Sequence, residues 1–273
     1  MKVSRFYYKV NDKKLNKRIV VLADIHYYSK KNIKKLNKVL NNSLKLNPDY
    51  FCIPGDMFDE KNIYDVDYFI EWLRKLSKIA PVIISIGNHE YYDKERTNGI
   101  LNTEVYRKVK KVKNVYVLDN DYKNIYGINF IGLSLPIKYY SEKKENDEDF
   151  LIDYANKNIN FNIKKGYSIL LSHTPIELSK EDVLKKLKCS KYVNLIISGH
   201  THGGITPNVL KYFMNGTGFI SPSKKLFPKR TYGKFIINGI NFIVSSGITK
   251  ASHTNTFRFF DFLFSPEISI IDL

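Results

Sequence analysis

Residues 18–26 read RIVVLADIH and residues 50–59 read YFCIPGDMFD. In each, a short apolar, β-branched run stops abruptly at a carboxylate. The construction returns at 82–90 (VIISIGNHE), 167–173 (YSILLSH) and 193–202 (VNLIISGHTH). Apolar runs this short, closed by Gly and polar side chains, read as buried strands. Between the first two, Ile33, Leu36, Leu40 and Leu44 recur at helical spacing, which predicts one apolar helix face. Tyr68, Phe69, Trp72, Leu73 and Leu76 repeat the pattern before the third run, and weaker helical patterns cover 98–111 and 177–188. Strand–helix–strand alternation predicts an α/β fold with parallel pairing in the first half. Further strand-like runs lie at 114–118, 127–135, 233–238, 240–246 and 267–271. The close spacing after 233, with Asn238-Gly239 as a turn signal, predicts antiparallel hairpins.

Composition bounds what such a chain can be. Of 273 residues, 43% are hydrophobic and 26% charged, which excludes disordered and fibrous classes. Lys+Arg outnumber Asp+Glu by 44 to 27, a formal charge of +17 that attracts polyanions without specifying a fold. All but seven of the basic residues are lysine, a poor choice for bidentate recognition, so solvated surface is as ready an account of the charge as a polyanionic partner. Two cysteines, Cys52 and Cys189, make neither a disulfide framework nor a four-cysteine zinc site. No apolar stretch reaches the roughly 20 residues that span a bilayer, and MKVSRFYYKVNDKK lacks the apolar centre of a signal peptide. The expectation is a cytoplasmic protein whose basic N-terminal stretch is an ordinary solvated strand or arm, with peripheral docking on an anionic membrane as the alternative.

We read the chain as one domain, 1–273. Residues 1–17 form a basic arm or strand, 138–149 an exposed charged loop, and 205–232 a long loop of the kind that usually carries function. The chemistry gathers where the strands stop. The ends are Asp24-Ile25-His26, Gly55-Asp56-Met57-Phe58-Asp59, Gly87-Asn88-His89-Glu90, Ser172-His173 and Gly199-His200-Thr201-His202. Ligands bind outside the carboxyl ends of strands in α/β sheets, so these side chains are expected on one patch. Five of the six histidines sit in these motifs; only His253 does not. A lone histidine is most often a hydrogen-bonded core or surface residue, but five at equivalent positions beside aspartates form a ligand set. Imidazole with carboxylate suits Zn, Mn or Fe rather than a calcium cage. There are too many donors for one tetrahedral ion, and the set suits two ions sharing a bridge.

The ordered motifs resemble those of the calcineurin-like metallophosphoesterases: DxH, GDxxD, GNH[DE], a lone His after a strand, and GHxH. The resemblance runs from about residue 18 to the end. The GHTHGG version and the closing Pro266-Glu267-Ile268 segment resemble the bacterial branch associated with the cell envelope. Ala23 and Ile205 depart from that branch, which usually has Ser or Thr and Gln there. The resemblance implies two stacked mixed β-sheets flanked by helices. It also implies two divalent or trivalent ions, drawn from Mn, Fe, Zn, Co and Ni. Asp24, His26 and His202 would hold one; Asn88, His173 and His200 the other; Asp56 would bridge them. Asn88 ligates through its side-chain oxygen, because the amide nitrogen offers no lone pair. His89 would contact the scissile phosphate and assist the leaving group, with Asp59 orienting His89 or a ligand. The plainer role for Asp59 is a helix N-cap or turn carboxylate.

On this reading the chain hydrolyses a phosphodiester or pyrophosphate by attack of a metal-bridged hydroxide, with a phosphorylated small molecule or lipid, such as an envelope metabolite, as substrate. Two segments are candidate pocket walls: 205–232, and the Phe-rich 257–264 (FRFFDFLF), where Arg258 is a candidate substrate contact. Those Phe residues have sheet packing, and Arg258 a pair with Asp261, as ordinary alternatives. The charge of +17 keeps a nuclease in view, and a phosphomonoesterase would use the same residues. No Arg-rich stripe with interleaved aromatics marks a nucleic-acid path, so nucleic acid is not favoured. A binding module that merely docks a partner is disfavoured because no ligand position is lost.

Overall fold

The computed structural model describes residues 2–10, 15–28, 30–58, 65–90, 104–140, 147–159, 163–221, 223–249 and 265–273. Twelve strands among them form two mixed six-stranded sheets. The first has the order β1-β12-β2-β3-β4-β5, from β1 (Ser4–Lys9), β12 (Glu267–Asp272), β2 (Arg18–Val21), β3 (Tyr50–Pro54), β4 (Val82–Ser85) and β5 (Val115–Leu118). Within it β2 to β5 are parallel, as the alternation predicts, and β12 runs antiparallel to β2 but parallel to β1. The second sheet has the order β10-β11-β9-β8-β7-β6. It is built from β6 (Asp121–Ile125), β7 (Ile128–Leu133), β8 (Ser168–Ser172), β9 (Leu195–Ser198), β10 (Gly233–Ile237) and β11 (Ile240–Val244). Antiparallel β10 and β11 turn at Asn238 and Gly239, both with positive φ, as expected for that dipeptide.

The central strands are apolar on both sides because both sides are covered. Ile19, Val21, Cys52 and Ile83 of the first sheet pack against Ile169, Leu171, Leu195 and Ile197 of the second. The alternate residues Val20, Phe51 and Ile84 face helices α1 (Lys30–Ser43), α2 (Val66–Ser77) and α3 (Glu104–Lys110). On the far side of the second sheet, Leu170 and Ile196 pack against α4 (Glu148–Asn158) and α5 (Glu181–Lys186). Asp65 caps α2 by accepting from Tyr68 N at 2.9 Å, and Trp72 Nε1 donates to Leu36 O at 3.1 Å, tying α2 to α1. None of the helices among the described residues is long and apolar enough to cross a membrane.

Two local expectations are corrected, and one strand is added. Leu44 is exposed, because α1 ends at Ser43 and a 3-10 turn buries Leu46 instead. The stretch 138–149 is not simply an exposed loop: Tyr139 and Tyr140 are buried, and α4 begins at Glu148 under an Asp147 cap. A strand at 121–125 pairs with β7 although its sequence, DYKNI, is mostly polar. The basic N-terminal stretch holds an edge strand, β1, paired in parallel with β12.

Candidate metal centre

The five strand-end motifs meet at one place, but from two facing sheets. β2, β3 and β4 deliver Asp24, His26, Asp56, Asn88 and His89; β8 and β9 deliver His173, His200 and His202. Asp56 Oδ2 lies 3.0 Å from His173 Nε2, 3.6 Å from His26 Nε2 and 3.9 Å from His89 Nε2. Asp24 Oδ1 lies 3.8 Å from His202 Nε2, 3.9 Å from His173 Nε2 and 4.0 Å from His26 Nε2. Ligand atoms of Asp24, His26 and His202 fall within 4.8 Å of one another, as do those of Asp56, His173 and His200. These are the Asp and His members of the two groups named from the motifs. His26, Asp56 and His89 form a third such trio between them.

The backbone at this centre is contorted. Asp24, His26, Asp56, His200 and His202 all have φ between 46° and 69°. The left-handed region is costly for side-chain-bearing residues, and such strain persists only where the surroundings enforce it. Here the loops are pinned: His26 N donates to Asp56 O at 3.0 Å and Thr249 N to Asp24 O at 2.9 Å. His200 N donates to both Asp24 carboxylate oxygens, at 3.0 and 3.1 Å. Gly199 explains itself by close approach, since a Cβ there would sit 2.5 Å from Asp24 Oδ2.

The donor set fits cations. Each of three imidazoles has one ring nitrogen against a backbone carbonyl: His173 Nδ1 on Pro54 O at 2.7 Å, His200 Nε2 on Tyr140 O at 2.8 Å, and His202 Nδ1 on Thr249 O at 2.8 Å. A carbonyl accepts only from N–H, so in the neutral ring the opposite nitrogen keeps its lone pair, and that arrangement orients histidine ligands in metal sites. Asn88 Oδ1 is buried with no hydrogen-bond partner among the described residues, the state of a donor atom awaiting a cation.

Without a cation the charges compensate one another. Burial pushes the Asp24 carboxyl up, while the cationic His173 and His89 hold Asp56 well below the usual carboxylate range despite its burial. Burial pulls His173 down, but the Asp56 carboxylate overrides it and raises the imidazole to about 9. Burial and the neighbouring His173 charge press His200 down to about 3. A proton on His173 therefore stands where a metal would.

Three contributors escape the motif reading. Glu90 was legible as the last residue of GNHE, but not its task. Its carboxylate accepts from Asp56 N (3.0 Å), Met57 N (2.8 Å) and Gly87 N (2.7 Å), clamping two motif loops together. Tyr140 contributes only a carbonyl, to His200, which no side-chain pattern signals. Lys211, in the long loop, forms a fully buried ion pair with Glu267 at 2.7 Å and also donates to Ser246 Oγ. Glu267 in turn accepts from Ser246 N, three residues before the Thr249 carbonyl that holds His202. Breaking a buried pair leaves an uncompensated charge, so Glu267→Gln is expected to cost about 3–5 kcal/mol in denaturant unfolding. A Lys211→Met, Glu267→Leu double variant should regain most of that loss; equal loss in both would remove the charge explanation. Asp59 and Arg258, with the rest of 257–264, lie outside the described residues.

Residues 17–204 match the family profile of calcineurin-like phosphoesterases, and the chain belongs to that family. It is similar to an uncharacterized metallophosphoesterase of Helicobacter pylori, with 30% identity over 75% of this chain and 49% of the relative. A similar relative in Campylobacter jejuni has 28% identity over 77% of this chain and 56% of its own length. The chain thus spans about half the length of the curated relatives it matches. A solved structure described as a dimetal phosphatase from Danio rerio aligns with 13% identity and a TM-score of 0.47, covering 85% of this chain and 88% of that one.

Proposed function

We propose that this chain is a two-metal phosphoesterase that hydrolyses a phosphodiester or pyrophosphate bond. The observation that carries the reading is the position of Asp56, whose Oδ2 faces His173 at 3.0 Å and His26 at 3.6 Å, one from each ligand group. Paired cations, when bound, polarise phosphoryl oxygens and lower the pKa of water toward about 7. The chain's own residues do the rest. Asp24, His26 and His202 would hold one ion, Asn88, His173 and His200 the other, and Asp56 both. Glu90 fixes the loops that aim Asp56 and Asn88. His89 is the most open of these groups, its side chain 18% exposed, and would meet the substrate's oxygens from the solvent side.

The finer reading is a lipid or envelope metabolite as substrate, in keeping with the GHTHGG branch. What supports it is the set of exposed aromatic side chains in 205–232, a loop that begins three residues after His202. The test is a metal-reconstituted screen against phosphomonoesters, diesters, nucleotides, plain DNA and RNA, and sugar or lipid pyrophosphates. Diester or pyrophosphate turnover that chelator abolishes is expected. Cleavage confined to plain nucleic acid would replace the reading with a nuclease. No turnover in any class, with metals bound, would sink the enzymatic reading.

A further inference from the structure

We propose that the 205–232 loop is a bilayer-docking element, and that its partner is an anionic lipid surface. Neither the family membership nor the hydrolytic reading requires this, and its test does not depend on activity.

The loop is anchored at the metal centre and hydrogen-bonded to itself toward its tip. Phe219 N and Ile220 N both donate to Gly204 O, at 2.8 and 3.1 Å, and Thr201 Oγ1 donates to Thr231 O at 2.6 Å. Both ends are thereby tied beside His200 and His202. Farther out, Phe227 N donates to Phe219 O (3.0 Å) and Ser221 N to Lys225 O (2.9 Å), closing a small hairpin. That hairpin holds Leu226 and Phe227 outward at 67% and 61% exposure. A second projection, the turn around Leu210, presents Val209, Tyr212 and Phe213 at 67%, 73% and 81%. Seven of the fourteen exposed large apolar residues among the described residues lie in this one loop. Isolated exposed apolar side chains are ordinary, but a concentration on two projections of one loop marks an interaction surface.

The charge around them selects the partner. The tip reads KKLFPKR, with Lys224 and Lys225 before the apolar pair and Lys229 and Arg230 after it. Residues 183–260 contain no Asp or Glu at all. The neighbouring helix α1 carries five lysines and no acid, and β1 carries Arg5 and Lys9 and no acid. Between β1, the end of α1 and the Leu210 turn lies an open cleft of about 770 Å³. Lys2, Arg5 and Lys38 line it with Phe6, Val209 and Tyr212, and none of the described residues lining it is a carboxylate. Apolar tips framed by basic residues suit an interface whose headgroups are anionic and whose interior is hydrocarbon. A nucleic acid would satisfy the charge, but it offers nothing to exposed Val209 and Leu226, since bases stack on rings rather than on aliphatic side chains.

The experiment is co-sedimentation of the full chain with vesicles of phosphatidylcholine alone and of phosphatidylcholine doped with phosphatidylglycerol. Binding should require the anionic lipid and fall with added salt. Leu226→Ser and Phe213→Ser should each weaken partition about tenfold, and Lys224→Gln with Lys225→Gln several-fold per charge. Because these side chains are exposed, the variants should melt with the parent. Phe227→Trp should shift its emission to the blue on adding anionic vesicles, beyond the signal of buried Trp72. Binding that ignores the apolar substitutions, or single-stranded DNA that displaces the vesicles and binds the Ser variants undiminished, would overturn the proposal. The second outcome would make this a nucleic-acid surface. Failure to bind either vesicle type would overturn it as well, and would leave the hydrolytic reading untouched.

Discussion

Asp56→Asn should yield a folded protein with no measurable metal-dependent turnover. The substitution preserves shape, so the packing between the sheets need not change, and Asp56 N can still donate to Glu90. What changes is the acceptor count. Asp56 Oδ1 already accepts from His89 N at 3.0 Å, and Oδ2 faces His173 and His26. An amide has one oxygen and one NH2 group, and the nitrogen has no lone pair to offer a cation. If the oxygen keeps the His89 bond, NH2 points at His173 and the bridge is gone; if it turns the other way, the His89 amide loses its acceptor. In both orientations the negative charge that opposes two cations is removed. Three measurements read this together: bound metal per chain, turnover of a chromogenic diester, and the melting transition. A variant that melts normally, holds fewer than two ions and does not turn over is the expected result. Near-normal turnover with both ions bound would end the bridging assignment.

How much of this was legible in the sequence depends on what carried each signal. The site side chains were legible because the chain places them at abrupt ends of apolar runs, and RIVVLADIH or VIISIGNHE says both strand and stop. That the ends come from two sheets was not readable from the runs themselves. β8 and β9 are as apolar as β2 and β3, since each lies between a helix layer and the opposing sheet. Edge strands were harder still: β6 alternates with exposed polar residues and gets its pairing from β7 rather than from its own composition. α4 was hidden because only Leu151, Ile152 and Ala155 of its eleven residues are buried. Glu90 stands inside a motif without showing its task, and the other two contributors have no side-chain pattern to signal them. Tyr140 acts through its carbonyl, and Lys211 looks like any lysine in a turn until β12 brings Glu267 to it.

The second large effect concerns His89, which stands at the border between ligand and reactant. Its Nε2 is 3.9 Å from Asp56 Oδ2, close enough for His26, Asp56 and His89 to hold an ion as a trio. Its ring packs edge-on to His26 at 4.6 Å between centroids. Its side chain is more open to solvent, at 18%, than those of His202 at 10%, His26 at 1% and His173 at 0%. An imidazole N–H on that side can hydrogen-bond a phosphoryl oxygen or protonate the departing one, a role worth about 10²–10⁴-fold. His89→Asn is therefore expected to keep two metals per chain and to lose about that factor. The loss should be larger for an alkoxide leaving group, which needs a proton, than for nitrophenolate, which departs without one. A difference between the two substrates thus reads proton donation directly, where a merely structural defect would slow both alike. If the variant loses a metal, the trio with His26 and Asp56 is the true ligand group. If it slows both substrates equally with both metals retained, His89 positions the phosphate and donates no proton.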